Sequence, residues 1–282
     1  MPIELVEKYL PYVDEQFTTV SKSELLVNHD FTFDGAHSVR VYKISTGEMT
    51  DYARLDDDAQ GRWSRYGVIK SLDATTEQFT LSKDRSFTFV IDTLDKDETA
   101  QALDAAAALS RQVREVIVPE VDTHVFSVIC SGAGVKPAAK ALTVDNIYTE
   151  IITGSKALDD VEAPEAGRVL VVNPDVYYLM KQCKDIVMET EIGNDMRVRG
   201  VIGNLDGMTV LRVPASRLPS GFGFLIAHPS ATVAPTKLES YKTHLDPPGI
   251  SGQLVEGRIV YDAFVLENKA KALYYQTVPT GA

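Results

Sequence analysis

Apolar and polar residues follow different spacings along the chain, and each spacing predicts a different kind of element. Alternation at every second position predicts strands over residues 38–44 and 86–91. Apolar residues at every third or fourth position predict a long helix within residues 95–131. Unbroken apolar runs predict buried strands at residues 169–172 and 222–227. The pattern therefore predicts a protein that mixes helices and strands.

The long helix is predicted to contain one irregularity. Asp95 and Glu98 have the spacing of a capping box at its start. The apolar period continues to Ile129, but Pro119 lies inside it, and a proline removes a main-chain donor and collides with the preceding turn. We therefore expect a kink or a break near Pro119, and an end to the helix at the glycine-rich segment 131–134.

The middle of the chain alternates between helical and strand patterns. A helix is predicted over residues 143–155 from its spaced apolar side chains. Residues 173–175 read Asn-Pro-Asp, which places an N-cap, a proline and an acid in the order of a helix start. Residues 206–207 read Asp-Gly and predict a turn before a strand over residues 208–213. This region is expected to form a mixed unit inserted in the chain.

The two ends of the chain have different patterns from the middle. Residues 1–36 hold too few apolar positions for a core, so we expect an arm that orders only against another surface. Residues 246–249 read Asp-Pro-Pro-Gly and predict a turn. Strand patterns over residues 259–266 and 270–277 flank Glu267-Asn268-Lys269, which predicts a hairpin.

A polar excursion of roughly 40 residues separates the first two predicted strands, and loops of this length are usually functional. If residues 46–76 form a drawn-out hairpin, each leg reaches about 50 Å at ~3.3 Å per residue. Such a projection has no core of its own, so we expect it to lie across a neighbouring molecule. The predicted inter-subunit contacts are Asp56, Asp57, Asp58, Arg62, Trp63, Arg65 and Tyr66.

Composition and charge argue against several functional classes. The chain of 282 residues carries 40 acidic and 28 basic residues, a net charge of −12, whereas dedicated nucleic-acid binders concentrate Lys and Arg. Cys130 and Cys183 lie among apolar residues and are predicted as buried thiols of a protein made in a reducing cytoplasm. No apolar stretch approaches the ~20 residues that span a bilayer, and the first ten residues lack the pattern of a signal peptide.

The sequence offers no pattern typical of catalysis, of a cofactor or of a metal. Gly132 and Gly134 follow a helix and lack the lysine–hydroxyl pair of a phosphate-binding loop. His124 and Cys130 do not have the spacing of a helical ligand pair. Cys183 lies on an apolar helix face without an evident base. We therefore predict no catalytic residue, no cofactor and no metal ligand.

Three local segments of the chain carry a resemblance to a known family. They are Gly35-Ala36-His37-Ser38-Val39 with Val41-Tyr42, then Gln112-Val113-Arg114-Glu115 followed by Val118-Pro119-Glu120-Val121-Asp122, and Tyr261-Asp262-Ala263-Phe264-Val265-Leu266. These segments and the order of all the predicted elements resemble the major capsid proteins of tailed bacteriophages with the Hong Kong 97 (HK97) fold. The resemblance covers nearly the whole chain. It implies an α+β fold with an N-terminal arm, an extended loop, a spine helix, a peripheral domain and an inserted axial domain.

The resemblance also implies a division of the chain. Its parts are an N-terminal arm (1–36), strands and an extended loop (37–92, with the loop tip at about 46–76), a peripheral domain with the spine helix (93–136), an axial domain (137–240) and a return to the peripheral domain (241–282). Members of the family form hexamers and pentamers that build icosahedral shells around double-stranded DNA. The implied function is that of a non-enzymatic structural protein of the virion, assembled in the host bacterial cytoplasm.

The resemblance further implies partners for the chain. It is expected to bind copies of itself within hexamers and pentamers, neighbouring capsomers, and a separate scaffolding protein, a portal and a decoration protein. It encloses double-stranded DNA without sequence-specific binding, and no membrane is involved. Two alternatives remain open, namely the shell protein of an encapsulin-like bacterial nanocompartment and a cytoplasmic α/β enzyme. The enzyme would need polar residues that converge in a pocket.

Overall fold

The computed structural model describes residues 21–28, 38–44, 49–52, 65–66, 71, 74–94, 105–186 and 201–279. The helices are α1 (Ala105–Gln112), α2 (Val118–Gly132), α3 (Ile147–Asp159) and α4 (Pro174–Gln182). The strands are β1 (Ser38–Ile44), β2 (Ala74–Thr80), β3 (Lys83–Asp92), β4 (Val169–Val172), β5 (Val201–Leu205), β6 (Met208–Arg212), β7 (Phe222–Ala227), β8 (Thr232–Val233), β9 (Thr236–Leu245), β10 (Gly252–Tyr261), β11 (Phe264–Val265) and β12 (Leu273–Thr277). The predicted capping residues Asp95 and Glu98 lie outside the described residues.

The chain divides into two compact units. One consists of Gly35–Leu81, and the other of Met1–Asp34 together with Ser82–Ala282. In the smaller unit, β1 pairs antiparallel with β2 along the full length of both strands. In each pair the two residue numbers add up to 118, as they do for Ser38 and Thr80. The predicted strand over residues 38–44 is confirmed, and its partner is a strand inside the predicted excursion.

A three-stranded antiparallel sheet with the order β3-β10-β9 belongs to the larger unit. Alternate residues of its strands are buried, among them Ile91, Val255 and Ile259. Gly257 lies under the rings of Phe87 and Tyr241, and a Cβ atom on Gly257 would lie 2.2 Å from the Phe87 ring. The strand predicted over residues 86–91 is confirmed, and glycine is required where two aromatic side chains cover the central strand.

The helical run that includes α1 and α2 passes Pro119 without a break. A π-helical turn (Val113–Ile117) joins the two helices, and the N–H of Val118 donates to the carbonyl of Val113, five residues earlier. Pro119 has no N–H to donate to the carbonyl of Glu115, four residues earlier. The hydrogen bonds before it therefore span five residues instead of four, which accommodates the proline. The helix has no break at Pro119, and a π-helical turn precedes the proline in place of the predicted break.

The end of α2 lies at Gly132, within the glycine-rich segment as predicted. Neither Gly132 nor Gly134 has a positive φ angle, so this is not the left-handed glycine cap that often ends a helix. A Cβ atom on Gly132 would lie 2.7 Å from Val265, and one on Gly134 would lie 2.7 Å from the main chain of Ala270. These glycines are needed because a second chain segment packs directly against them.

The largest sheet has the strand order β12-β7-β4-β6-β5, in which β4 and β6 are parallel and the other neighbours are antiparallel. Both faces of β4 are buried. Val169 and Val171 belong to the core that includes α2, whereas Leu170 and Val172 belong to the core that includes α3 and α4. The sheet therefore lies between two helical layers, which explains why β4 is apolar at every position. The predicted strands at residues 169–172 and 222–227 are confirmed.

Two local predictions beside this sheet are also confirmed. Asn173 caps α4, because its side-chain oxygen accepts a hydrogen bond from the N–H of Val176 at 2.8 Å. Asp206 and Gly207 both have positive φ angles, 49° and 77°, and connect β5 to β6 as a tight turn. The predicted helix over residues 143–155 is present with shifted bounds, since α3 begins at Ile147 and continues to Asp159.

The hairpin predicted for the C-terminal region is wrong. β10 pairs with β3 and β9, whereas β12 pairs with β7 in the other sheet. A 3-10 helix (Glu267–Ala272) leads into β12, where the predicted hairpin had its turn. The alternation of side chains specifies that a segment pairs, but burial selects its partner. Leu273 and Tyr275 fill one core of the five-stranded sheet and Tyr274 fills the other.

Candidate assembly surfaces

Described residues of the two chain segments beyond β1 and β2 also contact each other through their side chains. The residue numbers of Tyr52 and Tyr66 also add up to 118. The centroids of their rings are 5.0 Å apart in an edge-to-face arrangement. The hydroxyl of Thr50 donates a hydrogen bond to the carbonyl of Tyr66 at 2.8 Å. Met49 is 99% exposed and Tyr66 is 80% exposed. The two chain segments therefore contact each other again beyond the ends of the strands, and they present large side chains to solvent.

The seven predicted contact residues fall into two groups. Arg65 and Tyr66 are described, and both are exposed in a turn. Five lie outside the described residues: Asp56, Asp57, Asp58, Arg62 and Trp63. An inter-subunit role for all seven remains a prediction.

A buried carboxylate on α2 binds the chain segment at residues 21–23. Asp122 is fully buried. Its Oδ1 atom accepts hydrogen bonds from the hydroxyls of Ser21 and Ser23, each at 2.8 Å. Its Oδ2 atom accepts from the N–H of Lys22 at 3.0 Å and from Arg217 at 2.8 Å. A buried charge is tolerated only when it is paired and hydrogen-bonded, and Asp122 meets both conditions.

The rest of this N-terminal segment packs into the same unit. Leu26 is fully buried in the core that includes α2, and Val27 lies beside it. The N–H of Asn28 donates to the carbonyl of Thr232 at 2.8 Å, which forms a parallel bridge to Val233. Residues 21–28 of the predicted arm therefore order against the body of their own chain.

A second buried carboxylate, Asp262, joins α2 to two strands. It accepts hydrogen bonds at 2.8 Å from His124, from the N–H of Ser82 and from the N–H of Ala263. Burial alone would raise the pKa of Asp262, but the hydrogen bonds from these groups outweigh it and lower the pKa below its ordinary value. Ser82 is the first residue after the smaller unit, so Asp262 fixes the chain at that point.

His124 belongs to a group of hydrogen-bonded side chains that includes Asp262. Its ring pairs with Asp262, and among the described residues no hydroxyl or thiol is bonded to it as a nucleophile would be. The neighbouring Glu120 accepts from Arg85 at 2.6 Å and from the hydroxyl of Tyr261 at 3.2 Å. The polar groups of this surface therefore satisfy one another.

Cys130 lies in the core and is 2% exposed, as predicted for a structural thiol. Burial raises the pKa of this thiol to about 12, so it stays protonated near neutral pH. Cys183 is also buried. In the described part of the chain, no group of three or more His, Cys, Asp or Glu side chains is arranged to hold a metal ion. Among the same residues, no helix is both long and apolar enough to cross a membrane.

Sequence reasoning did not single out Asp122 or Asp262. Each is one acidic residue in a helix or loop of an acidic chain, and acidic residues are normally solvated. Apart from the N–H of Ala263, the partners of both carboxylates come from segments about a hundred residues or more away in sequence. The local pattern therefore carried no signal for either role.

Comparisons with known proteins agree on one architecture. A model of a phage capsid protein family matches residues 74–276. A structure from Mycobacterium phage Che8 has a TM-score of 0.70 at 19% identity and covers 91% of this chain and 90% of that chain. The mature capsid of bacteriophage PhiM1 has a TM-score of 0.63 at 14% identity, with 89% and 85% covered. The holo-SrpI encapsulin complex from Synechococcus elongatus PCC 7942 has a TM-score of 0.56 at 13% identity, with 89% and 85% covered.

At these identities the structural likeness concerns the fold. The chain has no sequence match among curated proteins. The match to the family extends from β2 to β12 and includes the long helix and both of the larger sheets.

Proposed function

The chain belongs to the phage capsid protein family, and from this premise we propose that its copies form hexamers and pentamers of an icosahedral shell around double-stranded DNA. It is a structural, non-enzymatic capsid shell protein of the virion with the HK97-type fold, and its partners in the shell are other capsid subunits. The match of the family across residues 74–276 is the observation that carries the proposal. The hexamers, the pentamers and the enclosed DNA are the proposed details.

The extended loop is proposed at residues 46–76, lying across a neighbouring subunit. Support comes from the antiparallel pairing of β1 with β2 and from the contact between the rings of Tyr52 and Tyr66 beyond the ends of those strands. The exposed side chains of Met49 and Tyr66 would be covered by such a neighbour. The proposed contacts include Arg65 and Tyr66 and, beyond the described residues, Asp56, Asp57, Asp58, Arg62 and Trp63.

The domain division is proposed with an axial domain at residues 137–240 and a peripheral domain at residues 93–136 and 241–282. Support comes from the core that α3 and α4 share with β4, β6 and β7, which lie within residues 137–240, and to which β12 adds only Tyr274. The three-stranded sheet draws β10 from the C-terminal part of the chain and β3 from the part before α1. This matches a chain that leaves one domain and later returns to it.

Further partners of the shell are also proposed. Packaged DNA would meet a subunit with a net charge of −12, and such a wall binds DNA loosely because few cations are available to neutralise phosphates. A separate scaffolding protein, a portal and a decoration protein are the remaining proposed partners. The host bacterial cytoplasm is the proposed site of assembly.

An encapsulin-like nanocompartment is the second candidate function. The similarity to the SrpI encapsulin complex favours it, because the two kinds of shell share a fold. The match to a phage capsid family favours the virus. Shell contents distinguish the two, since a viral shell holds double-stranded DNA and a nanocompartment holds a cargo protein.

Electron microscopy of the purified protein, combined with sedimentation velocity, tests the proposed assembly. We expect closed shells, sheets or capsomer rings, either from the protein alone or after co-expression with neighbouring genes. A compact monomer or dimer under both conditions would overturn the proposed assembly. Nuclease-resistant DNA in the shells supports the virus, and a co-purifying enzyme supports the nanocompartment.

A further inference from the structure

A cationic surface with two tyrosines lies where β6 ends and α4 begins. The guanidinium carbon of Arg212, the last residue of β6, is 5.2 Å from the centre of the Tyr177 ring. The ammonium group of Lys181 is 5.7 Å from the same ring. The adjacent Tyr178 is 59% exposed. Arginine and tyrosine are enriched among the residues that contribute most to protein interfaces. We name Tyr177, Tyr178, Lys181 and Arg212 the cationic surface.

Further positive charge lies close to this surface. Burial lowers the pKa of Lys22, and the charges of Arg217 and Arg212 lower it further, against the opposing effect of Asp122. The three cations are therefore near one another, and Asp122 is already paired with Arg217.

A loop with the opposite charge connects α3 to β4. It carries exposed carboxylates at Asp160, Glu162 and Glu165, which we name the acidic loop. In the described part of the chain, none of these carboxylates is within ion-pair distance of a basic group. By contrast, exposed arginines elsewhere in the same unit pair within the chain, as Arg258 does with Asp84 at 2.5 Å. Among the described residues, Lys181 and Arg212 likewise form no ion pair with a carboxylate.

The acidic loop is held rigid by a buried arginine. Arg168 is 3% exposed and donates hydrogen bonds to the carbonyls of Ala163 and Pro164, at 2.6 and 2.9 Å. It also pairs with Asp159 at 2.7 Å. A loop that is already ordered loses little conformational entropy when it binds a partner.

The two charged surfaces lie at opposite ends of the five-stranded sheet. The acidic loop leads into Val169, the first residue of β4, whereas Arg212 pairs in register with Val172, the last residue of β4. A strand rises ~3.3 Å per residue, so roughly 10 Å of buried sheet separates the two ends. Within one copy the sheet therefore keeps the surfaces apart. Two different, complementary surfaces on one molecule are what a head-to-tail ring requires.

We propose that the acidic loop of one copy docks on the cationic surface of the next copy around a capsomer ring. The proposal rests on the proposed assembly into hexamers and pentamers and names the surfaces that would meet there. The partner is a second copy of this chain, because its acidic loop supplies the complementary charge. Opposite charges at an interface guide the encounter and fix which surfaces meet.

Charge reversal tests the proposal in the full-length chain. One variant reverses the cationic surface (Lys181→Glu with Arg212→Glu), one reverses the loop (Asp160→Lys with Glu165→Lys), and one combines all four changes. We expect either reversed pair to raise the concentration needed for capsomer formation by about tenfold or more, and the combined variant to restore it largely. Sedimentation velocity measures assembly, and circular dichroism with thermal melting establishes folding.

A matched control reverses Arg111 and Arg114 to Glu. It makes the same change in charge at exposed positions of the long helix and should assemble at nearly the concentration of the wild type. The proposal is overturned if either reversed pair assembles like the wild type. It is also overturned if both pairs assemble poorly and the combined variant is not rescued.

Disulfide trapping gives an independent measurement if a reversed variant fails to fold. Asp160→Cys and Arg212→Cys in one chain should give a ladder of cross-linked rings on oxidation, and either cysteine alone should not. A double variant that assembles without a ladder would overturn the proposal. A wild-type chain that never assembles refutes the proposed function instead, so the two failures are distinguishable.

Discussion

Single buried charges join distant parts of this chain. Asp122 connects residues 21–23 to α2 and to Arg217, and Asp262 connects α2 to the start of β3. In both cases hydrogen bonds from several donors replace the hydration that the carboxylate loses on burial. Removing the charge weakens these hydrogen bonds and leaves some of the donors unpaired, so the effects of mutation should be larger than those of surface changes.

Asp122→Asn should lower the free energy of unfolding by about 2–4 kcal/mol, because Arg217 then remains without its buried counter-charge. Urea denaturation followed by circular dichroism measures the change. Asp160→Asn, at an exposed position, is the matched control and should change stability by less than about 0.5 kcal/mol. Equal stability of the two variants would contradict the role of Asp122.

Asp262 should contribute stability that depends on pH. Its pKa in the folded protein is lowered, so the contribution is present above the unfolded pKa of about 3.9 and is lost as pH falls through the folded value. The difference in unfolding free energy between the wild type and Asp262→Asn should therefore shrink between neutral pH and about pH 3. Urea titrations at several pH values measure it, and a difference independent of pH would refute the prediction.

At the scale of secondary-structure elements, glycines determine how closely segments of the larger unit approach one another. Gly134 donates its N–H to the carbonyl of Ala270 at 2.8 Å, directly beside the end of α2. The glycines in this region are therefore packing positions, although the sequence marked them only as a helix end. The π-helical turn before Pro119 likewise allows the helix to contain a proline, which a regular α-helix does not accommodate in its interior.

Gly134→Ala should lower the free energy of unfolding by about 1–3 kcal/mol, because the new Cβ atom collides with main-chain atoms that cannot rotate away. Gly207→Asn is the control, since no atom lies within 4 Å of the Cβ position of Gly207 and asparagine tolerates its positive φ. Thermal melting compares the two. A Gly134 variant as stable as the wild type would mean that the segment around Ala270 moves freely.

The whole molecule consists of two units. The larger unit has two buried cores, and the smaller unit is the compact segment Gly35–Leu81. The cores belong to the larger unit, so the smaller unit can change without removing them. Shell formation depends on contacts between copies, which the larger cores do not supply. Folding and assembly of the whole molecule therefore depend on different contacts.

Deletion of residues 50–72 should leave the larger unit folded and abolish shell formation. The reason is that the proposed contacts of this segment are intermolecular, while both buried cores lie in residues outside it. Circular dichroism and electron microscopy measure the two outcomes on the same preparation. Normal shells from the deletion variant would refute the proposed role of the extended loop.

The sequence by itself determined the elements whose signal is local. β4 and β7 were predicted with their observed bounds, and so were the cap at Asn173 and the Asp206-Gly207 turn. These features depend on continuous apolar runs, on a side chain that reaches its own helix, and on residues that accept positive φ. The order of segments also indicated the capsid family, which the match over residues 74–276 shows.

Only the tertiary structure decided which segments meet. It paired β12 with β7 where the sequence predicted a hairpin, and it revealed β9 beside β10. It also placed Ser21 and Arg217 around Asp122 and separated the acidic loop from Arg212 by the length of β4. Side-chain alternation and charge describe what a segment can bind, but its partner depends on burial against residues far away in sequence.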